Sequence, residues 1–169
     1  SVTQLLSFAR RETPAEQPLN ADELFRSLID LFRVNALEQG TVLSYEIKVD
    51  VQLTGKSVSA LRDALSNLLL NALQATPRGG QIILTASTVD GQLIINVQDS
   101  GSGIPEGLRD RIWEPFFTTR QRGTGLGLAI VRKRLQEVGG TAVLMPVEGH
   151  SGAAFQLRIP LTDQPFQPN

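Results

Sequence analysis

Residues 81–99, QIILTASTVDGQLIINVQD, constrain this chain more than any other stretch. Two runs alternate apolar and polar side chains, and between them stands Asp90-Gly91, a dipeptide that closes a two-residue hairpin because both positions tolerate left-handed backbone. Strands joined in this way run antiparallel, which disfavours a doubly wound parallel sheet. Helical patterns nevertheless separate the other strand patterns. The expected fold class is therefore α/β: a two-layer sandwich in which a mixed, mostly antiparallel sheet is covered on one face by three helices.

The elements around the hairpin follow from period and punctuation. SVTQLLSFARRE carries Val2, Leu5, Leu6 and Ala9 at helical spacing and stops at Pro14 and Pro18, like the end of a helix begun upstream. Asn20 is a cap with Glu23 three residues on, and Leu24, Leu28, Leu31, Phe32 and Leu37 are assigned to one side before Gly40, giving a helix over about 21–39. TVLSYEIKVD alternates as a strand, and VQLTG either extends it or forms a short second one. A long helix is expected over about 57–76, ended by Pro77 and Gly79-Gly80, and a short one near 106–112. In TGLGLAIVRKRLQEVGG, Leu128, Val131, Leu135 and Val138 share a helical face, with Arg132, Lys133 and Glu137 away from it; TAVLMPV and AAFQLRIP read as the last strands.

Composition removes several chemistries. The chain has 169 residues, 41% hydrophobic, with a formal net charge of -1: enough apolar material for one domain, and no basic excess to suggest nucleic acid. There is no cysteine, hence no disulfide, thiolate zinc site or cysteine nucleophile. The single histidine, His150, sits between Gly149 and Ser151 and reads as a turn residue. No apolar run reaches the roughly 18 residues needed to cross a membrane.

Four stretches carry chemistry. On the long helix, Leu61, Leu65, Leu68 and Ala72 fall on one stripe and Asp63, Asn67, Asn71 and Gln74 on another. Such a row of amides suits a ligand site, and equally the solvated side of an amphipathic helix. Asp99-Ser100-Gly101-Ser102-Gly103 follows the apolar run LIINV, so a carboxylate stands at a strand end beside glycines that let a ligand approach the backbone; a plain turn has the same composition. A dinucleotide fingerprint fails there because Glu106 stands where the third glycine belongs. Gly123-Thr124-Gly125-Leu126-Gly127 runs into a helix, where glycine costs about 0.5–1 kcal/mol against alanine and free N–H groups attract phosphate. A Walker loop is excluded, since no GK[ST] occurs and the only lysines are Lys48, Lys56 and Lys133. Between these glycine-rich stretches, WEPFFTTRQRG suits either a mobile lid that points arginine at phosphate or an ordinary loop with Phe packed inward.

In this order, NLLLNALQATP, DSGSGIP, WEPFFTT and GTGLGLAIV resemble the N, G1, F and G2 boxes of sensor histidine kinases. These belong to a superfamily of ATP-binding domains shared with gyrase, MutL and a heat-shock chaperone. The resemblance covers about residues 20–160 and implies a Bergerat-type ATP-binding fold, with ATP held between the long helix, the Gly-rich loop and the lid. It implies that Asn71 coordinates Mg²⁺ and that Asp99 accepts the adenine amine, with Gly101, Gly103 and Ile104 alongside. Gly123, Thr124, Gly125, Leu126 and Gly127 would face phosphate. Phe117, Thr119, Arg120 and Arg122 would line the lid side, with Arg120 toward the γ-phosphate. Asn67 and Arg120 are the implied catalytic residues. Gyrase-like hydrolases carry a Glu at the position of Asn67, and an amide cannot serve as that base, so the γ-phosphoryl group is kept for transfer rather than given to water.

Two positions depart from the family pattern. Gln74 stands where many relatives are basic, and Ala153 follows Gly152 where relatives often carry a hydroxyl. The histidine that such kinases phosphorylate is expected on a dimerisation domain preceding this region, whose last helix LLSFARRE resembles. Residues 1–19 are accordingly assigned to that helix end and a linker, 20–162 to the catalytic ATP-binding domain and 163–169 to a C-terminal tail. The implied ligands are ATP and Mg²⁺; the implied partners are the parent's dimerisation and histidine phosphotransfer domain and a response regulator, with no nucleic acid. The expected location is cytoplasmic, with membrane anchoring of the parent left open, and the chain is expected to be a monomer or weak dimer.

Overall fold

The computed structural model describes residues 16–117, 127–147 and 151–161. The elements are β1 (Leu19–Asn20), α1 (Ala21–Gln39), β2 (Val42–Lys48), β3 (Gln52–Leu53), α2 (Gly55–Ala75), β4 (Gln81–Val89), β5 (Gln92–Asp99), α3 (Gly127–Glu137), β6 (Thr141–Met145) and β7 (Ala154–Pro160). The helix end read at residues 2–9, the residues Thr119, Arg120, Arg122, Gly123, Thr124, Gly125 and Leu126, His150 and the tail at 163–169 lie outside the described residues.

The hairpin forms as its sequence demands: Val89 pairs with Gln92 around Asp90 and Gly91, whose φ angles of 52° and 76° are both left-handed. It occupies the middle of a five-stranded sheet in the order β2-β4-β5-β7-β6. β2 and β4 run parallel, joined through α2, and the remaining pairs are antiparallel. VQLTG is a separate short strand: β3 leaves the main sheet and pairs with β1, Leu19 opposite Leu53.

Alternation along the strands sends Ile82, Leu84, Leu93, Ile95, Val97, Phe155, Leu157 and Ile159 to one face, where they are buried under the helices. From α2 the predicted stripe of Leu61, Leu65, Leu68 and Ala72 meets them, and from α3 Val131 and Leu135. Each such Leu or Ile taken out of water contributes about 1.5–3 kcal/mol. The helix ends are capped: Asn20 Oδ1 accepts from Asp22 N at 2.9 Å, Thr54 Oγ1 from Ser57 N at 3.1 Å, and Gly40 (φ 79°) closes α1.

Two expectations are corrected. Leu31 and Leu37 are exposed, because α1 buries Leu24, Phe25, Leu28 and Ile29, and at 100° per residue Leu37 lies about 180° round from Leu28. The expected helix near 106–112 is two separate 3₁₀ turns, Glu106–Leu108 and Arg111–Trp113. Gly107 weakens helix there, and the segment has no apolar stripe to dock, since only Ile112 is buried.

Candidate functional site

Asn67 and Asn71 are half-buried on α2, the helix whose opposite stripe fills the core, while Gln74 is exposed one turn further on. Asn67 Nδ2 donates to the Asp63 carbonyl at 2.8 Å, which fixes the plane of that amide. The glycine loop after β5 rests on the last turn of the same helix. A Cβ on Gly101 would stand 2.2 Å from the Ala75 carbonyl oxygen, so only glycine allows that approach. The amide row and the carboxylate loop, far apart in sequence, are thereby brought together.

Asp99 ends β5 and is only 4% exposed. Its Oδ1 accepts from Gly101 N at 2.8 Å and from Ala153 N at 3.3 Å, so the carboxylate is oriented by backbone. Gly152 makes this possible: its φ is 119°, and a Cβ there would lie 1.9 Å from the Asp99 carbonyl oxygen. Ala153 has no hydroxyl to offer there, yet its N–H serves the aspartate. Ile104 is partly buried against the core, and Gly103 (φ 81°) turns the loop beside Gly152.

The segment between the two glycine-rich stretches is anchored by aromatic contacts. Trp113 meets Phe155 edge to face, with ring centroids 5.7 Å apart, and the Arg132 guanidinium stacks 4.0 Å from its centroid. Arg132, read as facing away, is half-buried and donates through Nη2 to the Ala142 carbonyl at 2.9 Å; burial lowers its pKa below the ordinary guanidinium value. Phe117 is half-buried, with the Arg111 guanidinium 4.6 Å from its ring centre.

α3 packs against α2 through Arg134, which sequence reading passed over. Its side chain is 12% exposed; Nε lies 3.0 Å from Asp63 Oδ2, Nη2 donates to Ser59 Oγ at 3.1 Å, and Nη1 contacts Glu137. Burial pushes the Asp63 carboxyl up from 3.8, and Arg134 opposes that rise. A signal was present: on a helical wheel Arg134 falls between the buried Ile130 and Val131, inside the apolar stripe.

A helix bearing amides, a strand-end aspartate held by backbone N–H groups and a glycine loop seated on that helix lie together on one side of an α/β sandwich. The comparisons give the family. Residues 56–163 match the model for the histidine kinase-, DNA gyrase B-, and HSP90-like ATPases. The nitrogen regulation protein NtrY of Azorhizobium caulinodans is 36% identical over 94% of this chain, an alignment covering 21% of that protein. The solved catalytic domain of the histidine kinase ThkA is 32% identical, with a TM-score of 0.76, covering 85% of this chain and 94% of that one. A structure of ThkA in complex with the response regulator protein TrrA is 29% identical with a TM-score of 0.78, covering 94% of this chain and 46% of that one. The chain spans between about a fifth and just over a third of the length of the curated relatives it matches.

This chain belongs to the histidine kinase-, DNA gyrase B- and HSP90-like ATPases, and within them it is a catalytic domain of the histidine kinase type. ATP is the nucleotide such a domain uses. No helix among the described residues is long and apolar enough to cross a membrane.

Proposed function

We propose that this chain is the catalytic module of a sensor histidine kinase, which binds Mg·ATP and passes the γ-phosphoryl group to a histidine on a separate dimerisation domain of its parent. The observation that carries this reading is the seat of the Asp99 loop on the last turn of α2: a backbone-oriented carboxylate whose loop packs on the helix that bears the half-buried pair of amides. Asp99 accepts the exocyclic amine of adenine, and the glycines beside it admit the ring. Phosphates lie toward Asn67, Asn71 and the Gly-rich entrance of α3, where Gly127 is the first helical residue.

A divalent cation fits this donor set in one way. Among the described residues no three His, Cys, Asp or Glu side chains converge on a metal-sized site, so a cation here takes few protein ligands. Asn71 would hold Mg²⁺ through its amide oxygen, and the ion would supply charge neutralisation at the phosphates. The chain's own residues position the nucleotide, and Asn67, an amide, activates no water. Arg120 remains our candidate for the γ-phosphate, and Thr119, Arg122, Gly123, Thr124, Gly125 and Leu126 for the remaining lid and phosphate contacts.

The partner downstream is a response regulator, as in the ThkA–TrrA assembly. Use of ATP supports a cytoplasmic location for this domain, with any membrane anchoring of its parent left open. The test is to mix the chain with Mg·ATP and a separately made dimerisation domain. Acid-labile phosphate on histidine is the expected product, and release of inorganic phosphate without protein labelling would contradict the proposal.

A further inference from the structure

Arg134 is a costly choice for its position. A mostly buried ion pair is often no more stabilising than apolar side chains of the same volume, and this arginine stands inside the apolar stripe of α3. Its contacts are arranged as a ruler. Nη2 reaches Ser59 and Nε reaches Asp63, which lie one turn apart along α2, while Glu137, one turn further along α3, holds the guanidinium from its own helix. The contact at Asp63 is an ion pair without the alignment of a hydrogen bond. Asp63 is also the residue whose carbonyl receives the Asn67 amide. Leucines could pack these helices in several registers, whereas a fork that meets Ser59 and Asp63 together permits one.

We infer that Arg134 is a positioning residue for the nucleotide phosphates: it fixes how far α3 slides along α2, and so sets the spacing between the Asn67–Asn71 row and the first turn of α3 at Gly127. This rests on the phosphate placement proposed above. Adenine recognition at Asp99 depends on β5, Gly101 and Ala153, none of which Arg134 touches, so the two halves of the ligand respond differently.

The test compares ATP and adenosine, each with Mg²⁺, by amide-shift titration of the whole chain carrying Arg134→Met, Arg134→Lys or Ser59→Ala. With Arg134→Met, ATP affinity falls about tenfold while adenosine affinity stays within about twofold. Ser59→Ala gives a smaller loss in the same sense, and Arg134→Lys recovers part of it through Asp63. The thermal midpoint of Arg134→Met falls, because Asp63 loses its cation while still half-buried, so the ratio of ATP to adenosine affinity and not the midpoint is the readout. Loss of ATP and adenosine affinity in parallel, or no loss of either, overturns the inference. If Arg134→Met does not fold, Ser59→Ala decides by the same ratio. A wild-type chain that binds ATP no better than adenosine overturns the phosphate placement itself, and the inference with it.

Discussion

Asp99 is where a single carboxylate has the largest expected effect on binding. Its Oδ1 is occupied by two backbone N–H groups, and these persist if the residue becomes asparagine with its oxygen kept on that side. Asp99→Asn should therefore leave the fold intact while replacing an acceptor for the adenine amine by a donor. A charge-assisted hydrogen bond of about 1.5–3 kcal/mol is lost, roughly tenfold to a hundredfold in ATP affinity by calorimetry. Unchanged affinity would remove Asp99 from the adenine site. Gly152→Ala acts on the same aspartate through the fold, since the new Cβ meets the Asp99 carbonyl at a left-handed φ. A loss of about 3 kcal/mol is expected in chemical denaturation. Asp63 adds a pH signature. Its folded pKa is raised, so the native state holds the proton more tightly than the unfolded chain, and stability falls as pH rises from 3.8 through the folded value. The stability difference between wild type and Asp63→Asn should therefore shrink over that interval and then level off. A difference that grows with pH would contradict the burial argument.

At the scale of elements, α2 and the hairpin were legible because their residues are costly anywhere else. Period-two alternation around Asp90-Gly91 leaves one structure, whereas the amide row of α2 reads from its own residues equally as a ligand site or as the solvated side of an amphipathic helix. The contacts of α3 were not legible in the same way. Arg132 meets Trp113 and Ala142, and Arg134 meets Ser59 and Asp63, partners that a periodic reading of one helix does not supply. Leu37 is exposed because its angle on α1, about 180° from Leu28, outweighs its apolar character. These elements make two predictions. Asn71→Ala should abolish the gain in ATP affinity that Mg²⁺ gives; a surviving gain in the titration would exclude it as the metal ligand. Arg132→Leu removes the cation over the chain's single tryptophan, so emission from Trp113 should change and stability should fall by about 0.5–2 kcal/mol. Emission identical to wild type would show that the stack does not persist in solution.

The whole molecule is a sheet with helices on one face and a polar ladder on the other. There Asn96 donates to Thr85 Oγ1 at 3.4 Å, and Gln156 to Asn96 Oδ1 at 3.1 Å, so polar side chains of that face satisfy one another among the described residues. The proposed ligand site is on the helical side, at the junction of α2, α3 and the end of β5. The central claim is that this junction holds Mg·ATP with adenine at Asp99 and phosphates at the amide row. Titrating the isotope-labelled chain with a non-hydrolysable ATP analogue and Mg²⁺ tests it most directly. The account predicts that the largest shifts fall on the backbone amides of Gly101 and Gly103 and the side-chain amide of Asn71. Shifts confined to Thr85, Asn96 and Gln156 on the opposite face would contradict it.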